Sequence, residues 1–227
     1  MLNVDWTALA LSLRLAFCTM AALFVVGTPI AYWVAFSRWR LKFLAEAVVA
    51  LPLVLPPTVL GFYILVAIGP RSPVGQAYQR LTGGLLPFSF QGLLVASILY
   101  SLPFAVQPMA ASFGSVDRRL VEVSCCLGAW RWKTFWRVIL PLSVPGVVTG
   151  MVLSFAHTLG EFGVVLMVGG NLPGITRTAS IAIYDEVQAL NYGVAFGTSV
   201  LLVGVSFSVL VITYALRRKV WTAWPVK

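Results

Sequence analysis

Ser115-Val-Asp-Arg-Arg-Leu-Val-Glu-Val-Ser-Cys-Cys-Leu-Gly-Ala-Trp-Arg-Trp-Lys-Thr-Phe-Trp-Arg-Val-Ile-Leu-Pro141 is a basic, aromatic-rich stretch set between two apolar segments. Ser115 is a predicted N-cap for a short helix, with Asp117 and Glu122 toward its positive end. Leu120, Val123 and Leu127 then recur at helical spacing. Gly128 offers a C-cap, because glycine tolerates the positive φ of a sharp turn. Trp132, Phe135 and Trp136 fall on one side of a second short helix, and Pro141 is placed to open the next element, where its missing N–H costs little. Two readings fit this helix-turn-helix: a hairpin that projects into solvent to meet a partner, and an amphipathic hairpin that lies in a membrane interface.

The flanks make the membrane unavoidable. Hydrophobic residues are 59% of the 227 and charged residues only 10%, against about 25% charged in soluble domains. Five apolar segments, at about 8–36, 44–68, 92–113, 142–168 and 194–216, each have the ~20 residues that cross a hydrocarbon core of about 30 Å. The expectation is an all-α, polytopic integral membrane protein with five transmembrane helices, one domain over 1–227 and an inner loop at 115–141. No cleavable signal peptide is expected, since the first segment is too long and has no basic run before it.

The net charge of +9 is distributed by side. Arg38, Arg40 and Lys42, then Arg118, Arg119, Arg131, Lys133 and Arg137, then Arg217, Arg218, Lys219 and Lys227 fall on one side; Arg71, Arg80 and Arg177 fall on the other. The positive-inside rule makes the rich side cytoplasmic, with the N-terminus outside and the C-terminus inside. Such short basic blocks beside apolar spans do not form a nucleic-acid surface. Cys18, Cys125 and Cys126, with the single His157, offer no disulfide framework and no metal site. No G-x-x-x-x-G-K-[ST] pattern occurs, so any ATP hydrolysis is expected on another chain.

Several residues inside the spans carry two readings each. Pro52, Pro56 and Pro57 bend the second segment, either as a gate with Thr58 facing a path or as packing alone. Ser101 and Gln107, with Pro103 and Pro108, put polar groups in the third, to bond neighbouring helices or to serve a passing anion. Glu161 is an intramembrane carboxylate, and such a group is a functional hypothesis by default. Proton coupling with His157 is one reading. The favoured one is a structural pairing with His157, Arg14 or Arg177, because an anion path is poorly served by an unpaired negative charge. Thr176, Arg177 and Thr178 form an outer donor cluster suited to an anion, or a loop that is solvated or docked on a partner. The outer connection at 69–91 reads as loop, and 181–190 as a short surface helix.

Glu122-Val-Ser-Cys-Cys-Leu-Gly128, nine residues, then Val138-Ile-Leu-Pro141 resembles the EAA loop of type I ABC importer permeases, with Glu122, Gly128, Leu140 and Pro141 matching. Val123 and Ser124 depart from its two alanines. Leu51-Pro-Leu-Val-Leu-Pro-Pro-Thr-Val-Leu-Gly61, His157-Thr-Leu-Gly-Glu-Phe-Gly163 and Gly170-Asn-Leu-Pro-Gly-Ile-Thr-Arg-Thr178 look like the molybdate permeases of that family. The resemblance implies an inner-membrane homodimer with one path at its interface and two cytoplasmic ABC ATPase subunits below. ATP and Mg would sit on the ATPase, and this chain would hold no cofactor and be no enzyme. A periplasmic or lipid-anchored oxyanion-binding protein would deliver molybdate or tungstate. The rivals are a sulfate or thiosulfate permease, a proton-coupled secondary transporter or channel, and a membrane anchor that recruits a cytoplasmic protein.

Overall fold

The computed structural model describes residues 4–223, whose regular elements are all helices; Lys227 lies outside them. Three helices are long and apolar enough to cross a membrane on their own: α1 (Trp6–Phe36), α5 (Phe90–Gly114) and the first twenty residues of α12 (Tyr192–Ala223). Two further crossings are bent pairs. The first joins α2 (Lys42–Val54) to α3 (Pro57–Ile68) through a 115° break. The second joins the stretch Arg131–Leu142 to α9 (Val144–Leu159) through a 76° bend. Counting each pair as one span gives five.

The second segment, expected at 44–68, bends at its prolines as their positions predict. Pro56 is extended (φ −54°, ψ 135°) and Pro57 begins α3, so neither residue supplies the N–H that would carry one helix across the junction. The segment expected at 142–168 divides at Gly160–Phe162, after which α10 (Gly163–Gly169) stands as a separate helix against α3 and α5. The outer stretch 69–91 is not all loop. Helix α4 (Pro73–Thr82) starts at Ser72, whose hydroxyl accepts from the Gly75 N–H at 2.9 Å, and stops at Gly83 in the left-handed region. The short outer helix is α11 (Ala179–Gln188).

Helix α5 is the spine, packed against α1, α2, α9 and α10. One apolar cluster joins α1, α5, α9 and the inner hairpin through Leu23, Val106, Met109, Phe113, Phe135, Ile139 and Val147. A second joins α3, α5 and α10 through Ile64, Ile68, Ala96, Val164 and Val168. On the outer side, the Ala179 N–H that starts α11 donates to Ser12 Oγ of α1 at 2.8 Å, and Phe88 N–H donates to Val168 O at 3.0 Å. Large apolar side chains remain exposed on most helices, Val54, Phe62, Phe196 and Phe207 among them. Lipid and partner subunits are the solvents such surfaces require.

Candidate functional site

The inner hairpin is built by its caps. Asp117, not Ser115, is the N-cap of α6 (Arg118–Cys126): its carboxylate accepts from the Arg119 N–H at 2.9 Å. The Ser115 hydroxyl instead donates back to Ser112 O, at the end of α5. Helix α6 ends in a Schellman motif. Gly128 N–H donates to Cys125 O at 2.9 Å, Ala129 N–H to Ser124 O at 3.0 Å, and Gly128 takes φ +77°. Ser124, where the EAA pattern has alanine, hydrogen-bonds Thr134 between hydroxyls at 3.0 Å and ties α6 to α7 (Arg131–Thr134).

None of the nine residues of α6 is buried. Glu122 is exposed, and Leu120, Val123 and Leu127 present an apolar face, with Leu127 82% exposed. A hollow of about 360 Å³ lies between that face and Lys133, Arg137 and Val138. An exposed helix with an unpartnered apolar stripe and a rigid cap is built to be covered.

Behind the hairpin, α7 widens into a π-helix (Phe135–Ile139) and closes with α8 (Leu140–Leu142). Leu140 N–H reaches Phe135 O, the i→i−5 bond of a π turn, directly before Pro141. Pro141 lies inside this segment rather than opening α9; Pro145 fills that role. The bend at Ser143 is held by a reciprocal pair. Ser143 Oγ donates to Ser112 O at 3.2 Å and Ser112 Oγ to Ser143 O at 3.3 Å. The hairpin is thereby fixed to the inner end of α5.

Within the bundle, the structure brings together motifs far apart in sequence. A Cβ at Gly163 would lie 2.7 Å from Pro57 Cβ, so the proline break and the Gly160–Gly163 break abut. Ser101 meets α9, with its hydroxyl 3.0 Å from His157 Nδ1 and 2.9 Å from Thr158 Oγ1. One arrangement satisfies all the groups: Thr158 donates to Ser154 O, Ser101 donates to Thr158 and accepts from the Nδ1–H tautomer of His157. His157 is also stacked on Phe104, with ring centroids 4.0 Å apart. Thr58 and Gln107 are exposed, as are Pro56 and Pro57.

Glu161 and His157 do not pair. Glu161 is buried and its carboxylate accepts the Val164 N–H at 2.8 Å, capping α10. Arg14 lies over the Phe90 ring, 4.6 Å from its centroid, and Arg177 pairs with Asp185 at 2.9 Å. Two of the three outer donors are likewise engaged, Arg177 with Asp185 and Thr176 with the backbone. Thr176 is fully buried, donating to Gly169 O at 2.7 Å and accepting from Leu172 N–H. Thr178 is buried too, with an unpartnered hydroxyl. The signals for Asp117 and Glu161 were present as capping residues just before helices. The Ser112–Ser143 and Ser101–His157 contacts leave no local signal, since they join residues 31 and 56 apart.

Residues 27–222 match the model of the binding-protein-dependent transport system inner membrane component. The chain is 53% identical over 214 residues to the molybdenum transport system permease protein ModB of Azotobacter vinelandii, covering 94% of this chain and 95% of that one. It is 37% identical over 186 residues to ModB of Escherichia coli K12, covering 81% and 80%. Among solved structures, the inward-facing MetNI methionine ABC transporter shares the fold at TM-score 0.74 and 18% identity, with 94% of each chain covered. A bacterial ABC transporter that imports alginate does so at 0.74 and 16%, over 94% and 78%. With its bent spans, capped inner hairpin and near full-length relatives, the chain belongs to the family of binding-protein-dependent transport system inner membrane components.

Proposed function

We propose that this chain is the membrane-spanning permease subunit of an ABC importer that carries molybdate, with tungstate as a second substrate, across a bacterial inner membrane. The observation that carries the reading is the 53% identity with the Azotobacter vinelandii molybdenum permease over almost the whole of both chains. The working unit is a homodimer with its path at the interface, two cytoplasmic ATPase subunits that bind and hydrolyse ATP with Mg, and an external oxyanion-binding protein. The N-terminus is outside and the C-terminus in the cytoplasm. Sulfate import by the same machine is the rival with the same architecture.

In this mechanism α6 seats its Leu120, Val123 and Leu127 face in the ATPase, with Glu122 at the rim and Gly128 fixing the turn. Closure of the ATPase dimer on ATP displaces both hairpins. The displacement passes through Leu140 and Pro141 to the Ser143 bend and the end of α5. It reaches the abutting breaks at Pro56–Pro57 and Gly160–Gly163, where Thr58 and Gln107 offer donors to the passing anion. Ser101, His157 and Glu161 hold those breaks in register. Thr176, Arg177 and Thr178 shape the outer loop that receives the binding protein.

The test is ATP turnover by the reconstituted complex in lipid, with the binding protein loaded in turn with molybdate, tungstate or sulfate. Molybdate and tungstate should stimulate hydrolysis and sulfate should not. Stimulation by sulfate alone would transfer the assignment to the rival.

A further inference from the structure

A groove of about 430 Å³ runs between the lower half of α1 and the segment that follows the hairpin. Phe24, Val25 and Pro29 form one wall; Trp132 and Trp136 form the other, with Arg131 at the rim. Its size falls in the roughly 300–1,000 Å³ range of small-molecule sites, and its lining is almost wholly apolar. The Trp132 and Trp136 rings lie 5.7 Å apart and both remain exposed, although Phe135 between them is buried against Phe113 and Tyr32. Among the described residues the ion pairs are Lys42–Glu46 and Arg177–Asp185, so no carboxylate neutralises Arg131.

Depth fixes the occupant. Residues 24–29 of α1 lie seven to twelve residues from its Phe36 end, or about 10–18 Å at 1.5 Å per residue. On the reading that this end is cytoplasmic, the α1 wall faces the acyl region of the inner leaflet. The two tryptophans and the guanidinium then fall toward its headgroups, where amphipathic rings and basic side chains partition. Pro29, inside α1, stands in the wall and presents its ring to the groove with no N–H to donate. We infer that this groove binds one anionic phospholipid per chain, its acyl chain between α1 and the tryptophans and its phosphate on Arg131. A lipid held there braces the segment Arg131–Leu142 from the side opposite α5. The inference rests on the membrane reading of the chain and not on which anion is transported.

The experiment is native mass spectrometry of the permease–ATPase complex, released from detergent after equilibration with equal amounts of dioleoylphosphatidylglycerol and dioleoylphosphatidylcholine. The wild-type complex should retain one phosphatidylglycerol per permease chain in preference to phosphatidylcholine, and glycerol phosphate should not displace it. Arg131→Gln should remove the headgroup preference, a change of about fivefold for one cation. Val25→Trp, which fills the groove while keeping an apolar surface, should remove both lipids. Loss of lipid in Val25→Trp with an intact complex separates the site from a folding defect. Equal retention of the two lipids by the wild type, or unchanged retention in both variants, would overturn the site. So would protection of the groove by a protein subunit in the assembled complex. None of these results would bear on the anion assignment, which the ATP-turnover assay reads independently.

Discussion

At the scale of single residues, two side chains separate rival accounts. Gly128 sits at φ +77° with nothing within 4 Å of where a Cβ would be. A substitution there meets no neighbour, and its cost of roughly 1–2 kcal/mol is the left-handed backbone alone. Gly128→Val should leave membrane insertion intact but reduce co-purification of the ATPase, and Glu122→Lys should do so less severely. Normal complex formation in both would favour the interfacial-anchor reading of the hairpin. Glu161 caps α10 through the Val164 N–H. Glu161→Ala should destabilise the purified complex by ~1 kcal/mol, the usual cost of a lost cap. Glu161→Gln keeps an acceptor oxygen and should retain most of that stability, read as the thermal midpoint in detergent. A fully assembled Glu161→Gln protein that loses a measured proton flux would instead support a secondary transporter.

At the scale of elements, packing is set by close approaches on the spine. A Cβ on Gly150 of α9 would lie 2.6 Å from the Ala105 carbonyl oxygen of α5. Gly204 on α12 has open space. Gly150→Val should cost about 1–3 kcal/mol or more of stability by forcing the helices apart, while Gly204→Val should be close to neutral; equal effects would deny that the α5–α9 crossing is the rigid part of the fold. The sequence already carried much of this level. Long apolar runs located α1 and α5 within two residues at each end, since a span is legible from composition. The hairpin was legible because caps use specific residues, Gly128 above all. The broken second and fourth segments were harder, because hydrophobicity continues across both breaks. Pro56 and Pro57 signalled a bend but not its 115°, and Glu161 looked like an ion-pair partner rather than a cap. The Ser112–Ser143 pair, which ties the hairpin to α5, exists only once α5 and the bend meet.

At the scale of the whole molecule, orientation decides which side of the membrane the inner hairpin meets. In a Cys-free background, Cys at Leu81, which is 86% exposed on α4, should react with an impermeant thiol reagent from outside. Cys at Arg40, exposed between α1 and α2, should react only from inside; the reverse pattern would invert the orientation and move the hairpin away from any cytoplasmic ATPase. On the proposed reading, lipid covers the exposed apolar belt and the cytoplasmic ATPase covers the α6 face. The most direct measurement is anion uptake into proteoliposomes containing the complete complex, with the binding protein and labelled molybdate on the outside and ATP trapped within. Uptake that requires ATP, persists without a proton gradient and is lost when Gly128→Val replaces the wild-type chain is the result expected. Uptake that proceeds without ATP and collapses with the proton gradient would contradict the account.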